Sequence, residues 1–199
     1  MLLLGALILT AFVALGQYAP ETQGALYAQF GVMPARFNPD FFAPYTPTEA
    51  LTSLFGHVFF HYGVFHLLMN GLAYMQAAPF VATRLGDVRF LLLFFASALG
   101  GAGAYVLINP GSQVAAVGAS GAICGVFGAY FLAVRPTVRA ALADPQVRNA
   151  MLMFLLINVV LMAMLRLPIA WEAHLGGFVV GALTYPLLAP RRRAAGPWG

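Results

Sequence analysis

Long apolar runs alternate with short polar segments along this chain, and the pattern predicts six hydrophobic helices. Each run has about the length that an α-helix needs to cross the hydrocarbon core of a bilayer, with the fifth at the short end. The first run lacks the basic residues that open a signal peptide, so we expect it to remain as a helix. The six expected spans are residues 2–18, 66–83, 90–108, 117–134, 151–165 and 171–188.

Composition supports the same interpretation. Of the 199 residues, 61% are hydrophobic and 8% are charged, and the mean hydropathy is +0.84. A soluble domain must present polar surface to water, so we predict an all-α membrane protein, a six-transmembrane-helix bundle with one domain over residues 1–199. Its single cysteine, Cys124, excludes an intrachain disulfide and a cysteine-based metal cluster.

The arginines predict how the chain is oriented. Six spans put both termini on one side together with the connections 84–89 and 135–148, and the positive-inside rule makes that side cytoplasmic. Because the basic residues follow the membrane, the net charge of +4 does not indicate nucleic-acid binding. We expect a protein of the bacterial inner membrane with an outer loop at 19–65 and a cytoplasmic tail at 189–199. The arginines expected inside are Arg84, Arg89, Arg135, Arg139, Arg148, Arg191, Arg192 and Arg193, against Arg36 and Arg166 outside.

The outer loop is rich in Phe, Tyr and Pro, which suits a segment lying in the membrane interface. It contains His57 and His61, for which we favour a structural or hydration role over a catalytic one. With His66 they would make three histidines for a zinc ion. No acidic or cysteine partner completes that set, so we expect no metal.

Four polar side chains interrupt the apolar runs at equivalent places. His66 and Asn70 begin the second span, Ser120 the fourth and His174 the sixth. These three spans enter the membrane from the outer side, so we expect all four side chains at a similar depth. Hydroxyl and imidazole groups are costly in hydrocarbon unless they have partners or a function.

This set of side chains fits acyl transfer. A serine hydroxyl becomes a nucleophile when a nearby base takes its proton, and His174 is the candidate base for Ser120. The amide of Asn70, the imidazole of His66 and the backbone N–H of Ser120 could stabilise an oxyanion. Glu172, at the helix entrance, is the one acidic residue near His174. We therefore expect a Ser–His dyad rather than a triad.

Glycines flank the expected dyad. Gly118 and Gly121 lie on either side of Ser120, and Gly177 and Gly181 form a Gly-xxx-Gly pair on the sixth span. Small residues let two membrane helices approach closely, which a Ser–His hydrogen bond between helices requires. We expect these four glycines to pack the helices around the site.

The chain resembles the rhomboid family of intramembrane serine proteases over about residues 50–188. The resemblance implies a Ser120–His174 dyad, an oxyanion site of His66, Asn70 and the Ser120 N–H, and a water-filled cavity open to the outer side. It implies membrane-protein substrates cut within or near a transmembrane segment, and no metal, nucleotide or other cofactor. The matching motifs, on alternate spans, are His66-Leu-Leu-Met-Asn70, Gly118-Ala-Ser-Gly121 and Ala173-His174-Leu-Gly-Gly177.

The chain departs from the usual pattern of that family at three places. Thr52 and Ser53 stand where many bacterial members have Trp-Arg, and Ala82 stands where an acidic residue is frequent. Both departures concern the support of the outer loop. Cys124 replaces an aromatic residue that packs on the base, which leaves open what orients His174.

Two functions of another class are alternatives. The chain could be a non-proteolytic relative that binds transmembrane clients, or a small transporter that uses the polar cluster as a path. The presence of both Ser120 and His174 argues against the first. The lack of paired charges at mid-membrane and of inverted repeats argues against the second.

Overall fold

The computed structural model describes residues 2–41, 43–135, 137–165 and 170–190, with side chains except at 138, 155 and 157–165. Most of the predicted cytoplasmic tail lies outside these residues. So do four arginines on which the topology prediction rests, Arg166, Arg191, Arg192 and Arg193.

The described chain is helical, apart from one isolated antiparallel bridge between Val32 and Ala116. The all-α prediction is therefore confirmed over these residues. Two 3₁₀ turns, Pro34–Phe37 and His57–Phe59, lie between the α-helices. The α-helices are α1 Leu2–Leu15, α2 Pro20–Phe30, α3 Pro47–Gly56, α4 Val64–Leu85, α5 Asp87–Ile108, α6 Ser120–Val134, α7 Val138–Ala143, α8 Pro145–Leu165 and α9 Trp171–Leu188.

The segment 19–65, predicted as the loop that joins the first two spans, contains α2, α3 and both 3₁₀ turns. A proline occupies the first turn of both α2 and α3, where its fixed φ favours a helix and no N–H is needed. The start of α3 is a capping box: Thr46 Oγ1 accepts from the Glu49 N–H, and the Glu49 carboxylate accepts from the Thr46 N–H.

The connection 135–148 also differs from the prediction, because it holds α7 and the first turn of α8. Pro145 begins α8 six positions before the predicted span at 151. Asp144 caps this helix, since its Oδ1 accepts from the Gln146 N–H at 2.8 Å. The prediction followed the apolar run, which covers only the hydrophobic part of α8, and so it left out the polar first turns of the helix.

Length and hydropathy single out α5 among the described helices as able to cross a membrane by itself. Helix α3, its following 3₁₀ turn and α4 satisfy the same criteria together, but the chain bends by 80° between them. Helices α1 and α6 are apolar and shorter than a full span.

Helices α5, α6 and α9 pack closely through glycine. A methyl group on Gly177 would overlap the carbonyl oxygen of Gly121, and one on Gly181 would overlap the carbonyl oxygen of Gly125. Backbone therefore lies directly on backbone between α6 and α9. This contact sets the separation of the two helices that carry Ser120 and His174.

Candidate active site

Ser120 and His174 meet at the amino-terminal ends of α6 and α9. A hydrogen bond of 2.8 Å joins the Ser120 Oγ and the His174 Nε2, although the two residues are 54 positions apart in the chain. Helix α6 begins at Ser120, shortly after Gly118, whose φ of +120° turns the preceding backbone. The first turn of α9 is closed by a bond from the His174 N–H to the Ala170 carbonyl, 3.2 Å long.

Two glycines let the first turn of α9 pack closely between α5 and α6. The carbonyl oxygen of Ala173 would lie 2.6 Å from a Cβ on Gly101 of α5 and 3.2 Å from one on Gly121 of α6. Side chains at these positions would push α9 outward. The missing side chains thus allow the residue after Ala173, which is His174, to reach Ser120.

His66 and Asn70 come to the same place from α4. A Cβ on Gly118 would lie 2.7 Å from the His66 Nε2 and 3.9 Å from the Asn70 Nδ2, so both polar groups face the backbone just before Ser120. One N–H of the Asn70 amide donates to the His66 carbonyl at 3.0 Å. The four polar side chains expected at one depth therefore cluster around one stretch of backbone.

Within the described residues, no carboxylate bonds the His174 ring. Glu172 is buried in the first turn of α9, but it lies two positions from His174 and so points from another face of the helix. Cys124 is buried and lines a cavity beside the pair. Within the part of the chain that the structure describes, the arrangement is a two-residue Ser–His pair without an acidic third member.

A cavity of about 440 Å³ extends from this pair between α4, α6 and α8. Ser120, His174, His66 and Asn70 are among the residues that line it. The rest of its wall is mostly apolar, and α8 contributes Ala150, Met153 and Phe154. The lining also includes His57, Phe65, Met69, Leu72, Gln76, Ile123 and Phe127.

His57 and His61 are both buried, in the segment that precedes α4. The His57 ring bonds the Ser53 carbonyl through Nδ1 at 3.0 Å, and the His57 carbonyl accepts from the Gly118 N–H at 2.9 Å. His61 packs its ring against the edge of His66, with centroids 4.9 Å apart. Burial lowers the pKa of His57 to about 4 and, with a smaller effect of His66, that of His61 to about 3.

Metal binding finds no support in the part of the chain that is described. No group of three or more His, Cys, Asp or Glu side chains there could hold a metal ion. His57 bonds the Ser53 carbonyl through its ring, and His61 packs on the edge of the His66 ring.

The backbone before Ser120 is tied to the outer segment at several points, which the sequence did not indicate. Val32 and Ala116 exchange two backbone hydrogen bonds of 2.9 Å, and the Ala35 N–H donates to the Ser112 carbonyl at 2.9 Å. The Tyr62 hydroxyl donates to the carbonyl of Ala115. The outer segment thus holds the extended backbone that precedes Ser120 in place.

A cluster of Arg36, Tyr45 and Glu49 holds the outer segment together. The Arg36 guanidinium lies 3.1 Å from the Glu49 carboxylate and 3.9 Å from the centroid of the Tyr45 ring. The Tyr45 hydroxyl donates to the Gly31 carbonyl at 2.9 Å. Bonds from the Thr46 N–H and hydroxyl, and then from Arg36, hold the pKa of Glu49 below its usual range. The capping box was readable from Thr46 and Glu49, whereas the contact with Arg36 was not.

At two of the positions where this chain departs from the common motifs, the side-chain hydroxyl bonds a carbonyl of its own helix. The Thr52 hydroxyl donates to the Glu49 carbonyl and the Ser53 hydroxyl to the Ala50 carbonyl, both within α3. Ala82 packs in the apolar core. The cluster around Arg36 supplies further contacts within the outer segment.

Comparison with known proteins gives two matches. The family model described as "Rhomboid domain" matches residues 48–191, a stretch that contains His66, Asn70, Ser120 and His174. The Bacillus subtilis (strain 168) protein named "Putative rhomboid protease YdcA" is 39% identical over 127 residues. That match spans 63% of this chain and 61% of the relative's length.

Proposed function

This chain belongs to the rhomboid family of membrane proteins, and on that premise we propose that it is an intramembrane serine endopeptidase. The observation that carries the proposal is the 2.8 Å hydrogen bond between the Ser120 Oγ and the His174 Nε2, two residues that line a cavity. The name of the Bacillus relative, which includes the words rhomboid protease, supports the same reaction class.

Ser120 is the proposed nucleophile and His174 the proposed general base. The Ser120 hydroxyl donates its proton to the His174 Nε2 while its oxygen attacks the scissile carbonyl carbon. His174 then delivers that proton to the leaving amine, and an acyl-enzyme remains. Water attacks the acyl carbon in the second half of the reaction, again losing a proton to His174, and the freed Ser120 takes that proton back.

The developing oxyanion needs donors on the opposite side of the carbonyl. His66 and Asn70 face the backbone beside Ser120, and the N–H of Ser120 belongs to the first turn of α6, where it has no partner within the helix. Only one N–H of the Asn70 amide donates to the His66 carbonyl, so the second N–H can donate to the oxyanion. Loss of one such donor typically costs about 10²–10³ in kcat.

The proposed reaction does not require a carboxylate that hydrogen-bonds the ring of the general base, His174. In this chain the orientation of His174 would come from the fit of Ala173 between Gly101 and Gly121. Two-residue variants of the serine mechanism exist, so the absence of a third member among the described residues is compatible with catalysis.

The proposed substrates are membrane proteins, reached from within the bilayer. We propose six crossings with both termini in the cytoplasm, a serine near the outer surface and lateral entry of the substrate between α4 and α8, which both line the cavity. A helical peptide hides its carbonyls in hydrogen bonds, so its end must unwind before Ser120 can attack. The inner membrane of a bacterium is the proposed location.

Cleavage of a single-span membrane protein in proteoliposomes tests this function. The Ser120→Ala variant should lose at least about 10³ in kcat, because removal of the nucleophile leaves only binding and oxyanion contacts. Ser97→Ala is the matched control, since the Ser97 hydroxyl is buried on α5 and bonds the Leu93 carbonyl at 2.7 Å. Cleavage by Ser120→Ala at the wild-type rate would refute the proposal. A folded wild type that binds such a protein without cutting it would favour the client-binding alternative.

A further inference from the structure

One face of α4 lines the cavity from its outer end inwards. Phe65, Met69, Leu72 and Gln76 follow at intervals of four, three and four, which places them on a single helix face. Three of the four are apolar, as expected for a wall at membrane depth. Gln76 is the exception.

Gln76 lies well below the reacting groups. At a rise of about 1.5 Å per residue, its Cα is about 9 Å further along α4 than Asn70 and about 15 Å further than His66. Helix α6 lines the same cavity from Ser120 to Phe127, which is about 10 Å by the same measure. One continuous space therefore joins the dyad to the Gln76 amide.

The Gln76 amide lacks a partner within the described protein. Its side chain is exposed, and no described residue forms a hydrogen bond with it. The cavity wall at this level is apolar and includes Phe127 and Ala150. An amide at hydrocarbon depth is costly when its donors and acceptor have no partner, because lipid tails offer none.

We infer that Gln76 is a specificity-determining residue whose amide hydrogen-bonds a polar side chain of the substrate's transmembrane segment. The inference rests on the proposed function and adds to it a substrate class. That class comprises segments with a hydrogen-bonding residue about six to ten helical positions from the scissile bond on its cytoplasmic side, which spans 9 to 15 Å. A wholly apolar segment leaves the Gln76 amide unsatisfied in the complex.

The expected preference is moderate. Hydrogen bonds between helices in membranes correspond to about a 3- to 15-fold effect on an equilibrium. Because Gln76 is remote from the reacting atoms, the preference belongs mainly in KM rather than in kcat.

The test uses pairs of single-span substrates in proteoliposomes that differ by one residue, Leu or Asn. The residue is placed in turn from three to fourteen positions beyond the scissile bond. Wild-type protein should prefer the Asn member by about 3- to 15-fold in kcat/KM, with a maximum near positions six to ten. In Gln76→Leu this ratio should fall to about one.

Two variants of the neighbouring exposed residue control for side effects. Met75 does not line the cavity, so Met75→Leu should keep the preference for Asn. The double variant Met75→Gln, Gln76→Leu keeps the amide on α4 but moves it off the cavity face, and it should lose the preference.

The outcomes separate the inference from its premise. Equal cleavage of Leu and Asn substrates by the wild type, or an unchanged ratio in Gln76→Leu, overturns the role of Gln76 and leaves the protease intact. Retention of the preference by the double variant also overturns it. Failure of the folded wild type to cleave any substrate overturns the proposed function, and the inference with it.

Discussion

Gly118 adopts a backbone conformation that side chains avoid, and the space where its side chain would stand holds the imidazole of His66. Its φ is +120°, and a Cβ there would come within 2.7 Å of the His66 ring. Two independent reasons therefore require glycine just before the proposed nucleophile. One is the turn into α6, and the other is the position of a proposed oxyanion donor.

Replacement of this glycine tests the second reason at residue scale. Gly118→Ala should lower kcat by about 10²-fold, because the methyl group displaces His66, and strain should cost about 1–3 kcal/mol of stability. Cleavage rate and Tm in detergent measure the two effects. Gly71→Ala on α4, where a Cβ meets nothing within 4 Å, is the control and should match the wild type. An active Gly118→Ala variant would remove His66 from the oxyanion site.

His61 is a fully buried imidazole whose two nitrogens have no hydrogen-bond partner among the described atoms. Burial, with the neighbouring His66, lowers its pKa to about 3. In the unfolded chain a histidine titrates near pH 6.5. Unfolding therefore takes up a proton below pH 6.5, and the stability of the fold falls as the pH drops from about 6.5 towards the folded pKa.

A phenylalanine at this position should remove that pH dependence. His61→Phe keeps an aromatic ring against His66 and eliminates the titrating group. The acid-induced loss of stability between pH 7 and pH 5 should shrink by about 2 kcal/mol. Tm measured in detergent at both pH values gives the comparison. If acidification lowers the Tm of both proteins by the same amount, His61 is not a buried imidazole that stays neutral in the folded state.

At the scale of elements, the contact between α6 and α9 decides whether the dyad can form. Gly177 and Gly181 place the α9 backbone directly on the carbonyls of Gly121 and Gly125. Carbonyl groups inside a helix cannot move aside as a flexible side chain can. Any added volume must therefore separate the helices and lengthen the Ser120–His174 distance.

Gly181→Ala tests whether this helix contact controls the site, because Gly181 lies two helical turns from His174 on α9. The variant should lose about 2 kcal/mol or more of stability through overpacking, and cleavage should fall with it. Gly103→Ala on α5, where a Cβ meets nothing within 4 Å, should keep full stability and activity. Tm and cleavage rate are the measurements. A Gly181→Ala protein as stable and active as Gly103→Ala would show that backbone contact between α6 and α9 is not limiting.

Some elements could be predicted from the sequence and others could not, for physical reasons. Helix α9 has the predicted bounds, 171–188, because its apolar run fills the whole helix. The start of α8 was missed because Pro145 and its cap Asp144 lie in a polar stretch that hydropathy ignores. The pairing of Arg36 with Glu49 depends on how the outer segment folds back on itself, which no local pattern encodes.

At the scale of the whole molecule, topology carries most of what the sequence could predict about the site. The predicted alternation of spans put four polar residues at one expected depth without giving any distance between them. The 2.8 Å contact of Ser120 with His174 also depends on Gly101, whose position on a third helix drew no attention in the sequence. The role of Gln76 was equally hidden, because the face of α4 that lines a cavity is set by the neighbouring helices.

The proposed orientation can be tested with introduced cysteines. The chain has one cysteine, Cys124, which is buried, so a new exposed thiol should dominate labelling. In intact bacterial spheroplasts a membrane-impermeant maleimide should label Thr22→Cys and spare Ala143→Cys, since both positions are exposed and the proposed topology puts them on opposite sides of the membrane. After lysis both should react. Labelling of Ala143→Cys in intact spheroplasts would reverse the topology.

The most direct test of the central claim, an activated serine paired with a histidine, is fluorophosphonate labelling of the detergent-purified protein. Intact-mass and peptide analysis should find one adduct on the wild type, located at Ser120, because His174 accepts the proton released on reaction. Ser120→Ala and His174→Ala should remain unlabelled while keeping the wild-type Tm. A folded wild type that takes no label, or equal labelling of Ser120→Ala, would contradict the account.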